Sequence, residues 1–190
     1  MRELVFLLEE ESAKVMLDEL LPRLIPGDIH HRCIPFQGKQ DLEKQIVRKI
    51  RAYQNPEASF VILRDLDSHA DCKALKTRLM TLCSEAGHPN SLVRIACREL
   101  ETFYLADLAA VEKGLGLPGL KRYQQSAKFR SPDHLGSPSK ELSSLTKGRY
   151  QKVSGSRAVG PWLDLENDRS ASFRNLVAGI RRITQTKRVE

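Results

Sequence analysis

Asp65-Leu66-Asp67 follows the apolar run Ser59-Phe60-Val61-Ile62-Leu63-Arg64 and sets two carboxylates one residue apart where a strand should end. Alternate side chains of a strand share a face, so both carboxylates can enter the crevice beyond its carboxyl end. That is a place to hold a divalent cation. Two more apolar runs close on acid: Leu4-Val5-Phe6-Leu7-Leu8 on Glu9-Glu10-Glu11, and Leu92-Val93-Arg94-Ile95-Ala96-Cys97-Arg98 on Glu99-Leu100-Glu101. Three strand ends are thus expected to deliver acid to one edge. The plain alternative is that these acids only cap or open the helices that follow, since carboxylates stabilise helix N-termini. On that reading Asp67-Ser68 caps a helix, and Glu10 and Glu11 are first-turn charges. Against it for Asp65 and Asp67, like charges gathered at one edge repel unless a cation or a proton relieves them.

Helices of the right spacing lie between these runs. Val15, Leu17, Leu20, Leu21 and Leu24 mark one from Glu11 to Leu24, ended by Pro26-Gly27. Ile29 to Phe36 reads as a second strand, and Leu42, Ile46, Ile50 and Tyr53 form the apolar face of the next helix. Leu75, Leu79 and Leu82 predict a third helix after Asp67, and a fourth is expected from about Leu100 to Lys113. Strands alternating with helices predict an α/β domain over residues 1–114, with a mainly parallel four-stranded sheet flanked by helices. From Gly114 onward Gly, Pro and Ser cluster, and residues 115–190 read as a loop-rich extension packed on that core. Its one clear element is an amphipathic helix near 172–184 carrying Phe173, Leu176, Val177 and Ile180, with Ser170-x-Ser172 as its cap.

The formal net charge is +7, and residues 120–190 carry 15 Lys and Arg against 6 Asp and Glu. Such asymmetry favours an anionic partner, nucleic acid foremost, with Arg149, Lys152, Arg157, Arg181 and Arg182 as candidate phosphate contacts. The four cysteines form no C-x-x-C pair and read as reduced structural thiols. His30-His31 and His134 suggest no role, whereas His69 between Asp67 and Asp71 could reach a phosphate. With no signal-peptide core and no apolar stretch of ~20 residues, a soluble cytoplasmic protein is expected.

A carboxylate after the first strand, an Asp-x-Asp after the third and acid after the fourth resemble the Toprim domain of topoisomerases, primases and the overcoming-lysogenization-defect nucleases. More closely, Leu63-Arg64-Asp65-Leu66-Asp67-Ser68 with Asp71-Cys72, the stretch from Arg98-Glu99-Leu100-Glu101 to Asp107, and Ser170-Ala171-Ser172-Phe173 resemble the bacterial family called domain of unknown function 4276. The resemblance implies a Toprim-like fold and Mg²⁺- or Mn²⁺-dependent phosphodiester cleavage of a phage-defence type, often beside a separately encoded ATPase. Asp65 and Asp67 would hold one metal, Glu9 would be a further ligand or general base, and Glu101 with Glu99 would complete a second site. Lys152 would be the lysine that follows the acids in nuclease relatives. The alternative is a catalytically degenerate Toprim-like protein that binds nucleic acid as partner to the ATPase. A small-molecule phosphohydrolase is a third reading and would need a closed pocket. The chain departs from the nuclease pattern at Glu10, where Gly is frequent, at Ala13, where a second acid is frequent, and at Glu99, where Ser is frequent.

Overall fold

The computed structural model describes residues 1–185. Strands β1 (Glu3–Leu8), β2 (His30–Pro35), β3 (Ala58–Asp65) and β4 (Leu92–Ala96) form one sheet in the order β2-β1-β3-β4. Every neighbouring pair is parallel. Parallel strands bury both faces, and side-chain alternation divides the apolar residues between two cores. Leu4, Phe6 and Leu8 of β1 join Val61 and Leu63 of β3 on one face. Val5 and Leu7 join Phe60, Ile62, Val93 and Ile95 on the other.

Helices α2 (Lys39–Arg51) and α3 (Cys72–Glu85) cover the second face, using Leu42, Ile46 and Ile50 and then Leu75, Leu79 and Cys83. The first face is covered by α1 (Glu11–Leu20) together with the helices after β4. These are α4 (Glu101–Leu105), α5 (Leu108–Leu115), α6 (Pro138–Leu145), α7 (Lys152–Val159) and α8 (Ala171–Gln185). Leu142, Tyr150, Val159, Leu163, Phe173, Leu176 and Ile180 are buried in the same cluster as Phe6 and Leu63, so the segment after residue 115 completes this face of the sheet.

Element boundaries differ from the sequence reading for local reasons. The single helix expected from Leu100 to Lys113 is two, because the Asp107 carboxylate accepts the Ala110 N–H at 3.1 Å as the N-cap of α5 and the Asp164 N–H at 2.8 Å. The first helix stops at Leu20 and tightens into a 3₁₀ turn, Leu21–Arg23, that contains Pro22. The fourth strand ends at Ala96, since Arg98 turns left-handed at φ 64°. No helix among the described residues is long and apolar enough to cross a membrane.

From β1 the chain leaves toward β2 on one side, and from β3 toward β4 on the other. Connections that diverge this way open a crevice at the carboxyl ends of β1 and β3.

Candidate functional site

Asp65 is the last residue of β3 and stands at that crevice. Glu9 follows β1 directly, and its Oε2 accepts the backbone N–H of Asp65 at 3.1 Å, tying the two strand ends together. Glu101 opens α4 and is 0% exposed. The Tyr150 hydroxyl donates to Glu101 Oε1 at 3.1 Å, while Oε2 is buried with no hydrogen-bond partner among the described residues. Tyr104, three residues on and therefore on the same side of the helix, packs against Tyr150 with ring centroids 5.7 Å apart. Its hydroxyl is buried, with Ser156 the nearest polar group acting on it. Lys152, the first residue of α7, donates to both carboxylate oxygens of Glu10, at 3.0 and 3.1 Å.

Burial pushes the Asp65 carboxyl well above the usual carboxylate range, and the charges of Glu9, Glu101 and Glu10 push it further; the Leu100 N–H acts the other way. Burial likewise raises Glu9, opposed by the Asp65 N–H and Arg64 and reinforced by Asp67 and Glu10. Glu101 is raised by burial against its own backbone N–H, Lys152 and Tyr150. Burial disfavours the Lys152 charge, but the hydrogen bond to Glu10 and the charges of Glu10, Glu101 and Asp65 outweigh it and raise its pKa. Four acids and one lysine thus form one electrostatic unit. Beneath it the buried Arg64 lies 3.8 Å from Glu9 and 3.0 Å from Glu43.

Some expected site residues are engaged elsewhere, although the Asp67 charge still reaches Glu9. Asp67 does not continue the face of Asp65: the strand ends at Asp65 and Asp67 is left-handed at φ 52°, so alternation stops there. Its carboxylate is held by Lys39 of α2 at 2.9 Å. Its backbone exchanges hydrogen bonds with Arg98, N–H to carbonyl at 2.7 Å and guanidinium to carbonyl at 3.0 Å. Two left-handed non-glycine residues facing one another are an uncommon backbone arrangement of the kind that clusters at functional sites. Asp67 does not cap α3 either; Asp71 does, accepting from Lys73 and Ala74. The Glu99 carboxylate accepts the Ser139 N–H at 2.6 Å and so anchors the first turn of α6, while its charge still raises Glu101.

Arg181 and Arg182 lie away from the acidic edge. Helix α8 begins against the end of β4, where Ser172 Oγ accepts the Cys97 N–H at 3.2 Å, and ends where Arg2 donates to the Thr184 carbonyl at 2.8 Å. It therefore runs against the strands and carries both arginines to the sheet's amino end, Arg181 paired with Glu166. Arg149 is exposed next to Tyr150, and Arg157 is exposed on α7, which Lys152 begins. His69 is exposed, its Nδ1 accepting the Asp71 N–H at 3.2 Å. Sequence reasoning set aside Glu10 and missed Tyr104 and Tyr150. The available signals were the Tyr150-x-Lys152 spacing and the helical Glu101-x-x-Tyr104 spacing.

The donors at this edge are all hard carboxylate oxygens, the type Mg²⁺ and Mn²⁺ take. The orphaned Glu101 oxygen and the mutual repulsion around Asp65 fit a cation in charge. Among the described residues no three His, Cys, Asp or Glu side chains already stand as a metal-holding group, so carboxylates would have to rotate for an ion to be held. A model of the family described as domain of unknown function (DUF4276) matches residues 8–181. No curated protein and no solved structure matches the chain.

Proposed function

The chain belongs to the family described as domain of unknown function (DUF4276), and from that premise we propose a divalent-metal-dependent hydrolase of nucleic-acid phosphodiesters. Its Mg²⁺ or Mn²⁺ site would lie at the carboxyl ends of β1 and β3. The observation that carries the reading is the buried Glu101 carboxylate, one oxygen without a hydrogen-bond partner among the described residues, set among Asp65, Glu9 and Glu10. Buried charge without compensation costs several kcal/mol, of order 3–5 when a partner is missing, and a divalent cation removes that cost. The likeness of the acidic motifs to Toprim nucleases supports the same assignment.

A bound ion supplies Lewis-acid polarisation of the phosphoryl oxygens. Asp65 and Glu101 would hold it, with Glu10 in reach. Glu9, half-buried with raised proton affinity, either adds a ligand oxygen or takes the proton of the attacking water. Lys152 stays charged beside the acids and offsets negative charge as it builds on the phosphoryl group. Arg149 and Arg157 hold flanking phosphates.

A second reading keeps nucleic-acid binding without chemistry, the chain serving as partner to a separately encoded ATPase. It is favoured by the lack of a ready three-residue metal group among the described residues. Mn²⁺ calorimetry with a nuclease assay on labelled DNA and RNA decides between them. The hydrolase reading expects Mn²⁺ binding and Mn²⁺-dependent cleavage, both lost in Asp65→Asn and Glu101→Gln variants that melt as folded proteins. Neither heat of binding nor cleavage would overturn it, and salt-sensitive nucleic-acid binding without either would select the second reading.

A further inference from the structure

The chain's one tryptophan, Trp162, is 45% exposed although the turn that bears it is firmly held. The 3₁₀ turn Gly160–Trp162 lies against α1, where a Cβ on Gly160 would stand 3.0 Å from the Glu19 side chain and 3.2 Å from the Met16 carbonyl. Arg23 donates to the carbonyls of Gly160 and Leu163, both at 2.9 Å, clamping the turn from either side. Leu163, directly after the tryptophan, is buried. A segment anchored this well could have tucked its largest apolar side chain inward; instead it presents the indole to solvent.

Helix α5 packs against this turn and against the 3₁₀ turn Lys121–Tyr123, which brings basic side chains and a second exposed ring to the same helix. Lys113 Nζ lies 3.6 Å from the Trp162 ring centroid. Lys113 and Lys121 line one groove of about 520 Å³ with Ala109, Glu112, Gly116 and Pro118. The groove's acid is already engaged: Glu112 accepts the Lys121 N–H at 3.0 Å, and backbone N–H groups hold its carboxyl below the usual range. Two residues past Lys121, Tyr123 is 39% exposed and is covered by Arg122, whose guanidinium carbon is 4.9 Å from its ring centroid. Exposed rings interleaved with Lys and Arg beside a groove are what an unpaired nucleic-acid strand recognises: bases stack on the rings and phosphates meet the cations.

We infer that Trp162, Tyr123, Lys113, Lys121 and Arg122 form a stacking platform for single-stranded nucleic acid. As a statement of substrate class this rests on the proposed function, while the platform itself stands on a separate face. Helix α7 joins the two places, with Lys152 at its first turn and Trp162 three residues past its end. Its eight residues span about 12 Å at 1.5 Å per residue, a distance that two or so nucleotides bridge. Rigid anchoring limits the ordering that binding must impose on the protein.

A single tryptophan makes the test direct. Oligodeoxythymidine of twelve residues is titrated with EDTA present, following Trp162 emission and the anisotropy of a labelled copy of the same oligomer. Quenching should track the anisotropy change, and an abasic phosphodiester chain of equal length should quench little. Trp162→Ala should weaken binding about ten-fold, with Trp162→Phe restoring most of it, as expected for a lost base stack. Lys113→Ala and Lys121→Ala should reduce the dependence on salt. Binding without quenching, undiminished affinity in Trp162→Ala, or equal quenching by duplex of the same length would overturn the platform. Quenching without Mn²⁺-dependent cleavage would remove the hydrolase and leave the platform, whereas cleavage without quenching would do the reverse.

Discussion

Tyr150→Phe isolates the link between the extension and the acidic site. The hydroxyl donates to Glu101 Oε1 at 3.1 Å and lies 3.4 Å from Ser156 Oγ. With Oε2 already unpartnered, its removal leaves the Glu101 carboxyl with no side-chain donor. The ring and its packing on Tyr104 remain, so no cavity of consequence opens. Stranding a buried acceptor costs about 1–3 kcal/mol. Glu101 keeps its own backbone N–H and the nearby Lys152 charge, which places the cost in the lower half of that range. For a chain of this size about 1–2 kcal/mol corresponds to roughly 2–8 °C in melting temperature. Circular-dichroism melts at pH 7 in EDTA should show that loss, and saturating Mn²⁺ should narrow the gap to the parent by giving Glu101 a partner in both. A variant that melts with or above the parent in EDTA would refute the account, since Tyr150 would then contribute nothing to Glu101.

Gly155→Ala should be destabilising although it sits inside α7, where alanine is ordinarily favoured by about 1 kcal/mol. A Cβ there would overlap Tyr150 Cδ2 and stand 2.6 Å from Cε2 of a buried ring. Overpacking of about 1–3 kcal/mol should outweigh the helix gain, and both melts and Mn²⁺ affinity should fall; a stabilised variant would show that Tyr150 moves freely. The pH profile should be inverted relative to common acid sensitivity. Asp65, Glu9 and Glu101 are raised in the folded state, so the fold binds more protons than the unfolded chain, and metal-free stability declines as pH rises from the ordinary values of 3.8 and 4.5 through their folded values. Glu3, Asp41, Asp71, Glu112 and Glu166 are lowered, and they contribute an opposing loss only at lower pH. Melts from pH 5 to 8 with and without Mn²⁺ check this, with the slope expected to flatten when metal is bound; a metal-free melting temperature that rises across that range would contradict it.

The sheet was legible because parallel strands buried on both faces leave short apolar runs, and the runs ending at Leu8, Asp65 and Ala96 could be little else. The acids after them were legible for the same reason, as charges stranded at the end of apolar segments. Strand periodicity misled at Asp67, because an alternation rule holds only while the backbone stays extended and the chain turns left-handed there. It could not see that Asp107 would break a helix by capping the next one, since that choice depends on the distant Asp164 N–H that the same carboxylate accepts.

Sequence alone therefore determined the α/β alternation, the approximate span of each strand, and the presence of carboxylates at three strand ends, all set by local periodicity and by the cost of burying charge. Tertiary structure decided which acids meet. Glu10 joins the site because α7 brings Lys152 to it from 142 residues away. Glu101 becomes the buried member because Tyr150 and the helices after β4 close over it, while Glu99 is drawn off to α6. Arg181 and Arg182 are carried to the far end by the direction of α8. Local patterning specifies how each segment folds, but long-range packing alone fixes which charged groups share one low-dielectric space, and that proximity sets their proton affinities and their chemistry.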